Sequence, residues 1–526
     1  VTSIKHIRQL LFVFYKLKLP YGSKSNDKVL DGFIETEKNI TPFDALFGEI
    51  AKLVDGNPKG YDQVKPDRYS KVIRKARKYL AKVFSGFDPR EILPRHGPGT
   101  VSTKETLWGK YRFRRINPRI QLLYPFDAYF CASLGQVVDE CRDFSTLESK
   151  ESSARVLLVP KDSRGPRLIS CEPLENQWVQ QGLSEAIVRR VEQHPLTRDA
   201  VHFTDQEYNQ RAALYGSYLG SYSTLDLKDA SDRVTLGLVR LLFPEPLFEA
   251  LEACRSLSTV LPNGETLILK KYAPMGSALC FPVMALTIWS ILAASSTDAD
   301  ARKSILVYGD DVVVRADQTA NAIATLESFG LAINRDKSCC QGFFRESCGV
   351  DAYKGTDVTP IRIRTTWRHT IAPDVYTSYI EYSNNFYEQG YYETSKLIAG
   401  WIYSFRMNTP TKDMGIPVPS LYVYPEVNRP LRKRGNRSLQ RLEYLVTDVV
   451  SRPINKKYLG WSSLLRYFTE GRRGHSASRT NDEPRGCGVR ASDCVFDAIM
   501  PFSVGQYTRR NSSYLENRWR EQRIID

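Results

Sequence analysis

Three features of this 526-residue sequence predict an α+β fold: a basic N-terminal stretch with helical patterning, short β runs paired around tight turns, and an uncharged apolar helix of seventeen residues. A content of 42% hydrophobic and 25% charged residues, with no acidic, Gln/Asn-rich or Pro/Gly-rich tract, excludes a disordered or fibrous chain. The length gives a prior of two to four domains. The net charge of +15 favours a polyanionic partner, either nucleic acid or an anionic membrane surface. The ten cysteines contain no C-x-x-C spacing and the six histidines are scattered, so neither a zinc site nor a disulfide framework is expected, and a reducing cytosol fits best. Lys5, His6 and Arg8 interrupt the first ten residues, so no secretory leader is expected there, and Val1 in place of an initiator Met suggests a trimmed or unusually started chain.

The first 90 residues read as helical, with six Lys/Arg among the apolar positions of Tyr69 to Phe84. Pro94, Arg95, His96, Gly97, Pro98 and Gly99 form a loop, because two prolines and two glycines break either regular structure. Val156 to Val159 and Leu168 to Ser170 flank the turn Asp162 to Gly165 and predict a basic hairpin. A strand at Ser223 to Leu227 precedes a helical pattern through Leu242, which Pro244 and Pro246 interrupt, and a hairpin follows around Pro262, Asn263 and Gly264. The uncharged run Ala278 to Ala294 is shorter than the roughly 20 residues a membrane span needs and is broken by Pro282 and Ser290, so it is expected to be a buried core helix. Ile305 to Val307 and Val312 to Val314 predict a third hairpin, with Tyr308, Gly309, Asp310 and Asp311 at its tip. From about Ile371 aromatic-rich helices alternate with loops. Residues 428 to 526 hold 20 Lys/Arg against 10 Asp/Glu, which concentrates the positive charge at that end, in Arg432, Lys433, Arg434 and Arg437 and again in Arg472 and Arg473; a frayed stretch is expected around Gly471 to Gly488.

Adjacent aspartates in a tight turn between apolar strands repel one another unless they face water or something positive sits between them. A divalent cation resolves the conflict, since Mg²⁺ takes oxygen ligands from one or two carboxylates plus substrate phosphates. The plain structural alternative is an exposed hairpin tip. Asp226 arrives on its own strand, and beside Asp310 it could clamp two metal ions that activate an attacking hydroxyl and stabilise a leaving pyrophosphate, which is the chemistry of nucleotidyl transfer.

These residues resemble, in order from about Arg155 to Arg364, the catalytic replicase subunit of the small single-stranded RNA bacteriophages, the leviviruses. Val159 to Arg167 with Cys171, Glu172 and Pro173 is similar to the basic fingers motif, and Asp205 to Ser217 to the stretch ahead of the palm. Asp226 to Asp232 resembles the first palm motif, Met275 and Gly276 with Phe281 the second, Tyr308 to Asp311 the third, Asn334 to Lys337 the fourth, and Phe344 to Gly349 the fifth. Ser277 and Cys280 stand where family members often carry Asn and Thr, and Lys228 and Asp229 replace small residues.

The resemblance implies a right-hand polymerase: an N-terminal region and fingers over 1–204, an antiparallel-sheet palm over 205–370, and a helical thumb with a basic C-terminal region over 371–526. It implies RNA-directed RNA synthesis from ribonucleoside triphosphates, started without a primer, in the cytoplasm of an infected bacterium. Asp226, Asp310 and Asp311 would hold two Mg²⁺ ions, with Mn²⁺ as a substitute. Lys161, Arg164 and Arg167 would neutralise the triphosphate, as guanidinium forks suit phosphate, or simply form a basic surface hairpin. Gly276 and Ser277 would border the nucleotide. Asp232 would sense the ribose 2′-hydroxyl, a role compatible with its capping a helix. Lys337 would protonate the departing pyrophosphate or remain an ordinary solvated lysine. RNA template and product, host elongation factors Tu and Ts, and a small-subunit ribosomal protein are the implied partners, with no membrane. A reverse transcriptase shares the palm carboxylates but usually carries a bulky aromatic gate near the ribose, and Lys228 to Asp232 contains none. A non-catalytic RNA-binding protein would explain the charge but not three aspartates on two palm-like segments.

Overall fold

The computed structural model describes the chain except for residues 18–20, 66, 107–108, 369, 423–429, 452–459, 471–512 and 523–526. Helices α1 (Thr2–Phe12), α2 (Ser23–Val54) and α3 (Asp67–Val83) bear out the helical reading of the first 90 residues. Strands β1 (Ala154–Asp162) and β2 (Gly165–Cys171) form the basic hairpin, and helix α4 (Leu174–Gln193) follows it. Helix α5 (Glu207–Leu219) leads into β3 (Tyr222–Lys228), then come the short helices α6 (Ala230–Arg233) and α7 (Leu236–Leu242). The hairpin β4 (Ser258–Val260) and β5 (Thr266–Ile268) joins β1 and β2 in one four-stranded sheet.

Helix α8 (Cys280–Ser295) is the apolar run. Apolar on every side, it can satisfy no face with water and lies buried along nearly its whole length. Trp289 packs against Tyr79 of α3 at a ring distance of 6.1 Å, which binds the N-terminal helices to the centre of the molecule. Among the described residues no helix is long and apolar enough to cross a membrane. Strands β6 (Leu306–Tyr308) and β7 (Asp311–Arg315) make the third hairpin, and helix α9 (Thr319–Ser328) returns the chain to β8 (Ala332–Ile333). The central sheet runs in the order β8-β3-β7-β6 and every pairing in it is antiparallel, as expected of the palm. Strands β9 (Phe344–Ser347), β10 (Val350–Tyr353) and β11 (Thr356–Asp357) form a smaller sheet at its flank.

Beyond residue 371, helices α10 (Pro373–Glu388) and α11 (Tyr392–Ser404) share a second hydrophobic core built on Tyr376, Ile380, Ile398 and Ile402. This region is not helices and loops alone. Strands β12 (Lys433–Asn436), β13 (Arg441–Ser451) and β14 (Ser513–Glu521) form an antiparallel sheet, and helix α12 (Trp461–Glu470) lies between β13 and β14 in sequence. Arg472, Arg473 and the stretch Gly471 to Gly488 lie outside the described residues.

The N-terminal segment crosses the molecule. Gln9 is buried and exchanges two hydrogen bonds with the Ile361 backbone, at 2.9 and 2.8 Å, and the Ile363 N–H donates to Val13 O at 2.7 Å. Arg8 and Arg362 both pair with the buried Asp351. Further along, Ser163 N–H donates to Tyr15 O at 3.0 Å, so the same segment holds the tip of the β1–β2 hairpin.

Candidate active site

Register brings the two aspartate segments together. Along the β3–β7 ladder Asp226 sits directly opposite Asp311, at the end where β7 turns back to β6 through Gly309 and Asp310. Gly309 has φ +64°, in the left-handed region, and a Cβ there would lie 2.2 Å from the Phe281 ring, so the turn requires glycine twice over. Phe281 in turn stands edge-on to Tyr308 at 5.3 Å and fixes the base of the turn.

The carboxylates are each held differently. Asp226 accepts from Asn334 Nδ2 at 2.7 Å through its Oδ2, and Lys337 Nζ stands 3.5 Å from the same oxygen. Asp311 Oδ2 accepts the Cys348 N–H at 3.2 Å, and Asn209 Nδ2 donates to the Asp311 carbonyl at 3.1 Å, so both the fourth motif and the fifth converge on this end of the sheet. Dehydration by the surrounding atoms, followed by the charges of Asp310 and Asp226, pushes the Asp311 carboxyl up to about 7. Asp310 is likewise raised, first by crowding of its carboxyl at the otherwise exposed tip and also by Asp226, while Arg167 and Lys337 pull it down.

Arg167 and Lys337 are therefore near enough for their charges to act on Asp310. Lys161 belongs to the same cluster: burial of its ammonium lowers it first, and the neighbouring Arg167 and Lys337 lower it further. Lys161 and Arg167 of the hairpin thus neighbour Lys337, which itself stands beside Asp226. Arg164 does not join them. Its guanidinium is bound to Asp162 at 3.0 Å and lies over the Tyr15 ring at 4.8 Å, so it shapes the hairpin tip. Gly276, at φ +128°, abuts β2: a Cβ would lie 2.0 Å from Ser170 O, and Ser170 N–H donates to Met275 O at 2.8 Å. Ser277, buried beside it, accepts the Leu279 N–H at 3.3 Å.

Asp232 is paired with Lys271, whose Nζ lies 3.0 Å from its Oδ1, and burial raises its carboxyl. Sequence reasoning missed Lys271 and its second partner Glu37, at 3.1 Å. The available signal was a lysine among the apolar neighbours Leu269, Tyr272 and Ala273. The His96 to Gly99 loop lies elsewhere and is a packed support: His96 is buried against Trp178 at 4.6 Å and driven down to about 3 by burial, and Lys110 Nζ donates to Gly97 O at 3.1 Å.

Among the described residues no three His, Cys, Asp or Glu side chains converge as a ready metal cage. Mg²⁺ does not need one, because one or two carboxylates plus substrate oxygens complete its octahedron. Crowded aspartates whose repulsion a bound cation would relieve are an oxygen donor set that fits Mg²⁺, and Mn²⁺ accepts the same donors.

Comparison with known proteins places the chain beside viral replicases. Residues 71–374 match the family model described as RNA replicase, beta-chain. The chain is 30% identical over 301 residues to the RNA-directed RNA polymerase subunit beta of Enterobacteria phage SP, covering 56% of this chain and 50% of that one. It is 31% identical over 306 residues to the protein of the same description from Qbeta virus strain MX1, covering 56% and 49%. The chain spans about half the length of these relatives. Among solved structures, the Sicinivirus 3Dpol RNA dependent RNA polymerase aligns with a TM-score of 0.28 at 14% identity, over 44% of this chain and 55% of that chain. The family model alone takes in more than half of the sequence, and the chain belongs to the RNA replicase beta-chain family.

Proposed function

We propose that this chain is an RNA-directed RNA polymerase that copies a single-stranded RNA phage genome from ribonucleoside triphosphates and begins without a primer. The observation that carries the reading is the register of Asp226 against Asp311, with Asp310 at the turn, Lys337 beside Asp226, and Arg167 and Lys161 nearby. Asp226, Asp310 and Asp311 would hold two Mg²⁺ ions, or Mn²⁺ in their stead, which supply charge neutralisation and activation of the attacking hydroxyl. Lys161 and Arg167 neutralise the triphosphate, and Arg164, tied to Asp162, steadies the strands that carry them. Gly276 and Ser277 form the border of the nucleotide against β2. The Asp232 carboxylate accepts the ribose 2′-hydroxyl. The 3′-hydroxyl releases its proton to water as its oxygen bonds to the α-phosphorus, the bond to the β-phosphate bridge breaks, and Lys337 Nζ gives its proton to the departing pyrophosphate.

In this reading residues 1–204 contribute the fingers, 205–370 the palm and 371–526 the thumb and basic region. The relatives' description as a beta subunit supports an assembly with further subunits, for which host elongation factors Tu and Ts and a small-subunit ribosomal protein are the candidates, in the bacterial cytoplasm. The test is incorporation of labelled ribonucleotide on an RNA template by the purified chain, with and without bacterial extract and with and without EDTA. Template-dependent, EDTA-sensitive product is expected. Retention of RNA without synthesis under any of these conditions would leave a binding protein.

A further inference from the structure

Lys271 has no exposed side-chain surface, and its ammonium is nonetheless placed among three partners: Asp232 Oδ1 at 3.0 Å, Glu37 Oε2 at 3.1 Å, and the centroid of the Phe33 ring at 3.6 Å. A buried cation is tolerated only when paired, and two carboxylates plus a ring face meet that condition. The backbone around it is pinned as firmly. Glu37 Oε1 accepts the N–H groups of Lys270 and Lys271, so this one carboxylate grips Lys271 at both ends. Arg255, also buried, donates to the carbonyls of Leu269 at 3.0 Å, Lys271 at 2.9 Å and Tyr272 at 2.9 Å.

Asp232 is where this buried array reaches solvent. Its side chain is 21% exposed, its Oδ1 is held by Lys271, and none of the described hydrogen bonds uses its Oδ2. The residue stands on α6, four residues long and entered through Asp229 at φ 51°. One helical turn carries little rigidity of its own. Resting on the reading of Asp232 given above, we propose that Lys271, itself held by Glu37, is a positioning residue that fixes the Asp232 carboxylate with one oxygen turned to the ribose 2′-hydroxyl, and so sets the discrimination between ribo- and deoxyribonucleotides. The lysine takes one oxygen and keeps the group an acceptor, and the other oxygen is left for the sugar. A site built to bond a substrate hydroxyl discriminates against the analogue lacking it only while that bond is geometrically available.

The experiment measures kcat/KM for ATP and for dATP with the full 526-residue chain and any host proteins that copurify, in wild type, Asp232→Ala, Lys271→Met, Glu37→Gln and the Asp232→Ala, Lys271→Met double variant, alongside thermal unfolding of each. A purely structural loss lowers both nucleotides alike and leaves their ratio unchanged. Asp232→Ala and Lys271→Met are each expected to lower the ratio about tenfold, and the double variant no further, since the two residues act as one unit. Glu37→Gln is expected to lower it about threefold. An unchanged ratio in Lys271→Met beside a lowered one in Asp232→Ala overturns the role of Lys271 and leaves Asp232 as the sensor. Unchanged ratios in both overturn the sensor as well, and a double variant that multiplies the two losses overturns the coupling. If Lys271→Met does not fold, the ratio of Glu37→Gln decides, and an unchanged value rejects the proposal. Absence of template-dependent synthesis by the wild type removes the polymerase reading and this one with it.

Discussion

Asp310 sits at the tip of a turn and contributes no positive surface, so its charge can be removed without touching the groups that would attract RNA. Asp310→Asn should abolish synthesis and leave RNA binding within about twofold. Asp226→Asn should behave alike, and the double variant should be little worse than either, because ligands of one centre fail together. Undiminished incorporation by Asp310→Asn would remove it from the centre. A second residue separates stability from chemistry. Glu172, just past β2, is buried and accepts from Ser256 Oγ, and burial raises its carboxyl from 4.5 to about 7. A folded-state value above the unfolded one means the folded protein holds a proton that the unfolded chain has released. Stability from this group is therefore complete below about pH 4.5 and lost as pH rises to about 7. Glu172→Gln should match wild type at the acid end and exceed it by up to about 3 kcal/mol above pH 7. Urea denaturation at the two ends of that range checks the sign, and a constant difference between the proteins would show that Glu172 does not titrate there.

At the scale of elements, the hairpins β1–β2 and β6–β7 were legible because each carries its own signal: apolar, β-rich runs on either side of a turn, Asp162 to Gly165 in one and Gly309 to Asp311 in the other. Local spacing says nothing of what a turn abuts, which is why the close approach of Gly276 to Ser170 and the diversion of Arg164 to Asp162 emerge only in three dimensions. Lys271, Asp232 and Glu37 come from three separate stretches of the chain, and a lysine between hairpin and helix reads as surface until the fold buries it. The sheet β12-β13-β14 was hidden for a related reason: Val446 pairs with Arg518, 72 positions away, and arginines such as Arg518 and Arg520 recur along β14 where an apolar alternation would have marked a strand. The junction at Gly276 is directly testable. Gly276→Ala adds a Cβ against the Ser170 carbonyl and a strained φ, so it should cost about 2 kcal/mol or more and push β2 away from the turn. A raised KM for ribonucleotides together with a lowered denaturation midpoint is the expected outcome. Wild-type values for both would show that the junction relaxes freely.

Over the whole molecule the positive charge is uneven, and the fold sorts which of it is available. Arg434 is committed to the buried Glu443 at 2.8 Å and lies over Trp519 at 4.4 Å, so it closes the C-terminal sheet, while Arg432, Lys433 and Arg437 are exposed. Replacing those three by Gln should flatten the plot of log affinity against log salt by roughly 1 to 2 units if two or three contact single-stranded RNA, at about 0.7 per phosphate. An unchanged slope would assign the patch to a protein partner or to solvent. The path of the N-terminal segment has another kind of consequence. Gln9 bonds to Ile361, 352 positions later, and Tyr15 to the hairpin at Ser163. A ribosome adding about 5 to 20 residues each second needs roughly 20 to 70 s to travel from the one partner to the other. Through that interval α1 is made while its partner at Ile361 is still unwritten, so this contact closes long after the helix itself has formed. Synthesis and docking of this helix are separated in time, and a nascent-chain chaperone would have roughly 20 to 70 s in which to hold it.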